Sequence, residues 1–132
     1  MAETETHGYE ATGITRFLRA FKYTWAGFRT ALKEEEAFKQ EFILFCILTP
    51  VAIALPVPWM GTALMIGSML IALAIELLNT GIEAAIDRIS KERHPLSKTA
   101  KDVGSAAVFI GLTNVVVIWL GVLLDYFLSV KG

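Results

Sequence analysis

The sequence predicts an all-α membrane protein: an N-terminal amphipathic surface helix followed by three transmembrane helices. Three observations carry this. Apolar residues make up 55% of the 132-residue chain and charged residues only 19%, with a mean hydropathy of +0.55. A single domain this small has too little interior to hide so much hydrocarbon, so the surplus is expected to face lipid. Phe42 to Ile75 runs 34 residues without a charge, and Val103 to Leu124 adds a further 22. The same composition excludes a disordered chain and a soluble two-domain enzyme, and a single cysteine, Cys46, excludes a disulfide scaffold. A net charge of −1 gives no sign of a nucleic-acid partner.

Residues 1–12 are polar and acidic and are expected to form a disordered tail. Residues 13–132 are expected to form one membrane domain. No apolar core of signal-peptide length occurs in the first thirty residues. Instead, Ile14, Phe17, Leu18, Phe21, Trp25, Phe28 and Leu32 recur at helical spacing, with Arg16, Arg19, Lys22 and Arg29 mostly off that stripe. A basic amphipathic helix with aromatics on its greasy face, at about 13–34, suits the membrane surface. Docking on a soluble partner is the plainer alternative.

The long uncharged run is too long for one crossing. As a single helix it would measure about 50 Å against a hydrocarbon core of roughly 30 Å. Pro56-Val57-Pro58-Trp59 breaks it, because proline neither continues a helix nor donates a backbone hydrogen bond. Two spans joined by a tight hairpin follow, at about 37–55 and 59–89. The last run gives a third span at about 99–128. Six of the 12 basic residues (Arg16, Arg19, Lys22, Arg29, Lys33, Lys39) lie at or before the start of the first span. Five more (Arg88, Lys91, Arg93, Lys98, Lys101) lie between spans two and three, and the hairpin has none. The positive-inside bias therefore places the N-terminus and the 87–102 loop in the cytoplasm, with the hairpin and C-terminus outside.

Chemistry is expected where span two stops being apolar. Glu76, Asn79, Glu83 and Asp87 fall at i, i+3, i+7 and i+11 and share one helix face. Glu76 lies about 24 Å along the helix from Met60, near the cytoplasmic boundary, and Glu83 about 10 Å further. Carboxylates at membrane depth are costly and point to function, with hydrogen bonding to neighbouring helices or snorkelling to the interface as the plain alternative. Asp87, beside Arg88 in a charged loop, reads as a solvated or helix-end charge rather than a ligand. Glu34, Glu35, Glu36 and Glu41 form a second acidic cluster at the same boundary. Two carboxylates from different helices suit a hard cation such as Mg²⁺, although acidic residues at a helix start also simply match the macrodipole. Lys101 reads either as a point charge for phosphate or as an interfacial anchor. Glycine-rich phosphate loops, a kinase catalytic loop and zinc-ligand spacings are absent from the sequence, and His7 and His94 are too far apart to pair. Cys46 reads as packing. Small residues at Gly67, Ser68 and Ala72, and at Gly104, Ala107 and Gly111, permit close helix approach. Three helices cannot enclose the polar face of span two alone, so a homo-oligomer with sites shared between protomers is expected.

Two stretches carry a resemblance: Glu76-Leu-Leu-Asn79-Thr-Gly-Ile-Glu83-Ala-Ala-Ile-Asp87-Arg88 and Lys101-Asp102-Val-Gly-Ser105-Ala-Ala. Upstream, Tyr23-Thr-Trp25-Ala-Gly27 and Glu35-Glu36-Ala37-Phe38-Lys39-Gln40-Glu41 fit the same pattern in order and spacing. Over residues 13–128 the sequence resembles the small bacterial integral-membrane diacylglycerol kinases. The resemblance implies a homotrimer in the bacterial inner membrane that phosphorylates diacylglycerol with ATP and Mg²⁺, giving phosphatidic acid. It implies Glu76 as general base and Glu35 and Glu83 as holders of the metal bridging the ATP phosphates. It places Arg16, Tyr23, Glu92, Arg93, His94, Lys101 and Asp102 on the nucleotide, with Glu35 and Glu83. It places Arg16, Ala20, Trp25, Ala37, Phe38, Lys39, Gln40, Glu41, Glu76, Asn79, Ser105 and Trp119 at the lipid site. Lys39 stands where an arginine is common in the family. A related branch that phosphorylates undecaprenol is the nearest alternative. A small proton-coupled transporter is the rival of another class, since glutamates on membrane helices also relay protons. That rival needs carboxylates near the midplane, whereas these crowd one boundary.

Overall fold

The structure, a computed structural model, describes residues 13–131. Residues 1–12, expected to be a disordered tail and containing His7, lie outside the described residues, as does Gly132. Four helices follow in order: α1 (Gly13–Glu34), α2 (Glu36–Ala54), α3 (Trp59–Ile89) and α4 (Pro95–Lys131). The last three are long and apolar enough to cross a membrane. The helices α2 and α3 begin and end within a residue of 37–55 and 59–89. The third helix of the bundle is longer than the expected 99–128. It starts earlier because Pro95, whose fixed φ suits a first helical turn, opens it, while His94 Nδ1 accepts from the Leu96 backbone N–H at 3.2 Å. Hydrophobicity locates the membrane crossing, whereas the helix itself extends past it.

α1 and α2 are separated by one residue. Glu35 is extended (φ −107°, ψ 109°), yet its N–H donates to the Ala31 carbonyl at 2.9 Å and its own carbonyl accepts from Lys39 N–H at 3.0 Å. The hydrogen-bond ladder thus continues round an elbow. Ala31, Phe38 and Leu73 form the buried core beneath it, with Phe28, Leu32, Phe42, Phe45 and Leu77 packed around them. Phe28, Phe38 and Phe42 succeed one another at ring separations of 6.2 Å. The opposite end of α1 is bare: Ile14 is 75% exposed and Phe17 72%.

Pro50 sits inside α2, where it donates no backbone hydrogen bond. α2 closes with Leu55 N–H on the Val51 carbonyl at 3.0 Å, and the chain turns through Pro56-Val57-Pro58 directly into α3. Thr62 Oγ1 donates to the Ala52 carbonyl at 3.4 Å and ties the two helices beside the hairpin. α3 is the central element. Its buried residues, Thr62, Met65, Ser68, Met69, Ala72, Leu73, Glu76 and Asn79, recur every three or four positions along one side.

α3 packs against α4 in antiparallel register. A Cβ on Gly61 would lie 2.9 Å from Val122 Cγ1, and one on Gly111 would lie 2.9 Å from Ile75 Cδ1 and 3.6 Å from the Ala72 Cα. Moving from Gly61 to Ala72 on α3 is matched by moving from Val122 to Gly111 on α4, and the same register brings Asn79 to Gly104. Trp119 Nε1 donates to the Met65 carbonyl at 3.3 Å in the same frame. Of the small residues expected at close approaches, Ala72, Gly104 and Gly111 serve there. Gly67 meets nothing within 4 Å, and Ala107 is exposed. Cys46, read from the sequence as packing, is exposed on α2 together with Ile43 and Ile47.

Candidate active site

The polar face of α3 lies between α2 and α4, close to the α1–α2 elbow. The aromatic core under the elbow fixes Glu35 against this face, and the α2 turn that buries Phe38 also sets Glu41 towards α3. Glu76 is only 5% exposed. Its carboxylate is close enough to feel the charges of Glu83 and Glu35, and Glu41 is close enough to feel Glu76. Glu35, Glu41 and Glu83 therefore each lie within electrostatic reach of Glu76. One Glu41 oxygen, Oε2, is buried without a hydrogen-bond partner.

Asn79 is the neutral member of this face. It is buried, and its Nδ2 donates to Glu83 Oε1 at 3.3 Å. One turn beyond Glu83, Asp87 is exposed but not simply solvated: its Oδ1 lies 2.7 Å from Lys101 Nζ on α4. Its position on the shared stripe was the one signal available for this pairing. The pairing depends on the short loop that folds α4 back along α3.

Across that loop lies a groove of about 650 Å³ lined by Glu92, Arg93, His94, Lys101 and Asp102, together with Asp87 and Lys98. The loop is held by Glu92 N–H donating to Ser90 Oγ at 3.0 Å. Lys98 and Asp102 pair one turn apart on α4. All the loop and α4 residues expected on a nucleotide thus converge, and they do so beside two more basic residues, Lys91 and Lys98. Glu35 and Glu83 do not line the groove; nor do Arg16 and Tyr23, which are exposed on α1 with Ala20 and Trp25. Lys101 links the two regions, since its ammonium also feels Glu83.

The residues expected at a lipid site spread further. Phe38 is wholly enclosed in the core. Lys39 is half-buried and bonded to Glu36 at 2.9 Å, whereas Ala37, Gln40 and Ser105 are exposed. Trp119, held at the level of Met65, lies about 16 Å along α3 from Glu76. A narrow apolar crevice of about 70 Å³ between α2, α3 and α4 has Glu41, Met69 and Leu112 in its lining.

Among the described residues, no group of three or more His, Cys, Asp or Glu side chains forms a cation cage. A cation held there by fewer side chains would have to complete its shell with water and phosphate oxygens.

Residues 22–123 match the family model described as prokaryotic diacylglycerol kinase. The chain belongs to this family. A protein named diacylglycerol kinase from Pseudomonas aeruginosa is 52% identical over 113 residues, covering 86% of this chain and 92% of its own length. A diacylglycerol kinase from Haemophilus influenzae is 45% identical over 115 residues, covering 87% and 98%. One from Escherichia coli is 40% identical over 116 residues, covering 88% and 95%. Prokaryotic diacylglycerol kinase membership, together with three membrane-length helices, makes this a membrane-embedded lipid kinase.

Proposed function

We propose that this protein transfers the γ-phosphoryl group of ATP to the free hydroxyl of diacylglycerol, giving phosphatidic acid and ADP. The observation that carries the reading is the buried Glu76 on the same face of α3 as the hydrogen-bonded pair Asn79–Glu83, beside a basic groove. A greasy alcohol reaches such a place from the bilayer and a nucleotide reaches it from water.

Glu76, buried on α3, accepts the proton of the lipid hydroxyl as the oxygen attacks the γ-phosphorus and the bond to the leaving ADP oxygen breaks. Glu35 and Glu83 hold Mg²⁺, which when bound neutralises charge on the phosphate oxygens. Asn79 orients Glu83 through its 3.3 Å hydrogen bond. Lys101 faces the phosphates as a positive point charge, and Asp102, Glu92, Arg93 and His94 receive the rest of the nucleotide in the groove. Arg16 and Tyr23 reach the nucleotide from the surface helix. Glu41, Gln40, Lys39 and Ser105 bound the headgroup end of the lipid, while Trp119 lies at acyl-chain depth.

Residues 13–132 act as one kinase domain in the bacterial cytoplasmic membrane, N-terminus inside and C-terminus in the periplasm. α1 lies in the inner surface with Ala20 and Trp25 towards the lipid. The functional unit is a homotrimer, which supplies cover for the apolar sides of α2 and α4 and completes sites that one protomer leaves open. Purified protein in detergent, given ATP, Mg²⁺ and either diacylglycerol or undecaprenol, tests the proposal. Phosphatidic acid is the expected product. Phosphorylation of undecaprenol alone moves the protein to the related branch, and no lipid phosphate from either overturns the kinase reading.

A further inference from the structure

Asn79 is buried, and its two polar ends differ. Nδ2 donates to Glu83, whereas Oδ1 is buried with no hydrogen-bond partner and faces α4. There it meets Gly104. A Cβ built on Gly104 would overlap Asn79 Oδ1 outright and lie 3.2 Å from Asn79 Cγ, with nothing else within 4 Å. One side chain alone therefore fills the space above Gly104. The glycine is not there for its backbone, since no described residue has positive φ and Gly104 sits within a regular helix where alanine is the better helix former.

We infer that Gly104 is a positioning residue: its missing Cβ is the socket that seats the Asn79 carboxamide and keeps Nδ2 aimed at Glu83. A methyl group at 104 displaces the end of a flexible side chain rather than a helix backbone. The carboxamide rotates, the bond to Glu83 is lost, and α3 and α4 keep their register through Gly111 and Gly61. The effect of Gly104 is thus transmitted through Asn79 and through nothing else nearby.

A double-mutant cycle over Gly104→Ala and Asn79→Ala, read in two ways, tests this. The first readout, melting temperature in detergent, is independent of the kinase reading. Gly104→Ala should lower it in the wild-type background and leave it unchanged or raise it in Asn79→Ala, where the space is free. The second readout, diacylglycerol phosphorylation, rests on the proposed function. Gly104→Ala should reduce kcat about 10- to 100-fold, with a smaller change in the KM for ATP, and should cost nothing further in Asn79→Ala. Equal losses of melting temperature in both backgrounds would mean that Gly104 acts on helix packing alone, and the inference fails. It also fails if Gly104→Ala retains wild-type kcat. A wild type without kinase activity but with the expected melting cycle sinks the function and leaves the socket standing.

Discussion

The ammonium of Lys101 lies 2.7 Å from Oδ1 of Asp87, joining α4 to α3 beside the loop of residues 90–94. The pair is half-exposed, so it contributes little to holding the fold. Its consequence is positional: it fixes a cation at the mouth of the groove and within reach of the charge on Glu83. Asp87→Asn should leave the melting temperature essentially unchanged and raise the KM for ATP several-fold, with kcat less affected. Steady-state kinetics at saturating lipid read this directly; an unaltered KM would assign Asp87 no part in nucleotide binding.

The carboxylates near the elbow divide into two roles. Glu76→Gln should lower kcat by about 10²- to 10⁴-fold, the usual contribution of a positioned base, while the dependence of rate on Mg²⁺ keeps its midpoint. Glu35→Gln and Glu83→Gln should each move that midpoint to higher Mg²⁺. Titrating Mg²⁺ against initial rate for the three variants separates the roles, and three superimposable curves would abolish the distinction.

Phe38 is fully enclosed between α1, α2 and α3. Phe38→Ala should cost about 3 to 5 kcal/mol through lost burial and the cavity left behind, seen as a marked fall in melting temperature. Activity should fall with it, because the same core fixes Glu35 beside Glu76. Phe38→Leu, which refills most of the space, should restore much of both.

The bare apolar residues of α1 make a spectroscopic prediction. In a variant whose only tryptophan is Trp25, brominated phospholipid in reconstituted vesicles should quench its fluorescence strongly, and high salt should not reverse the quenching. Emission indifferent to bromine would place α1 away from the bilayer surface.

Much of this architecture was legible in the sequence because lipid imposes a simple rule: an apolar run must be helical and of crossing length. Pro56 and Pro58 marked the hairpin to the residue, and the spacing of Ile14, Phe17 and Phe21 marked α1. The polar face of α3 was equally readable, since helical spacing alone aligns Glu76, Asn79 and Glu83. What joins different helices was not. The contacts of Asp87 with Lys101, and of Asn79 with Gly104, depend on the register between α3 and α4, which is set by which small residues meet which large ones. Nor does the sequence say which side of α2 meets its neighbours: apolar residues surround Cys46 along the chain, yet it is exposed within one protomer.

Glu35 is both the joint between α1 and α2 and a carboxylate of the proposed site, and this double duty couples chemistry to the mechanics of the bilayer. A thinner leaflet or a change in lateral pressure alters the tilt of a crossing helix. Any such tilt of α2 relative to α1 is absorbed at one residue, whose acid group must then swing with it. Turnover should therefore respond to acyl-chain length in the surrounding lipid as well as in the substrate.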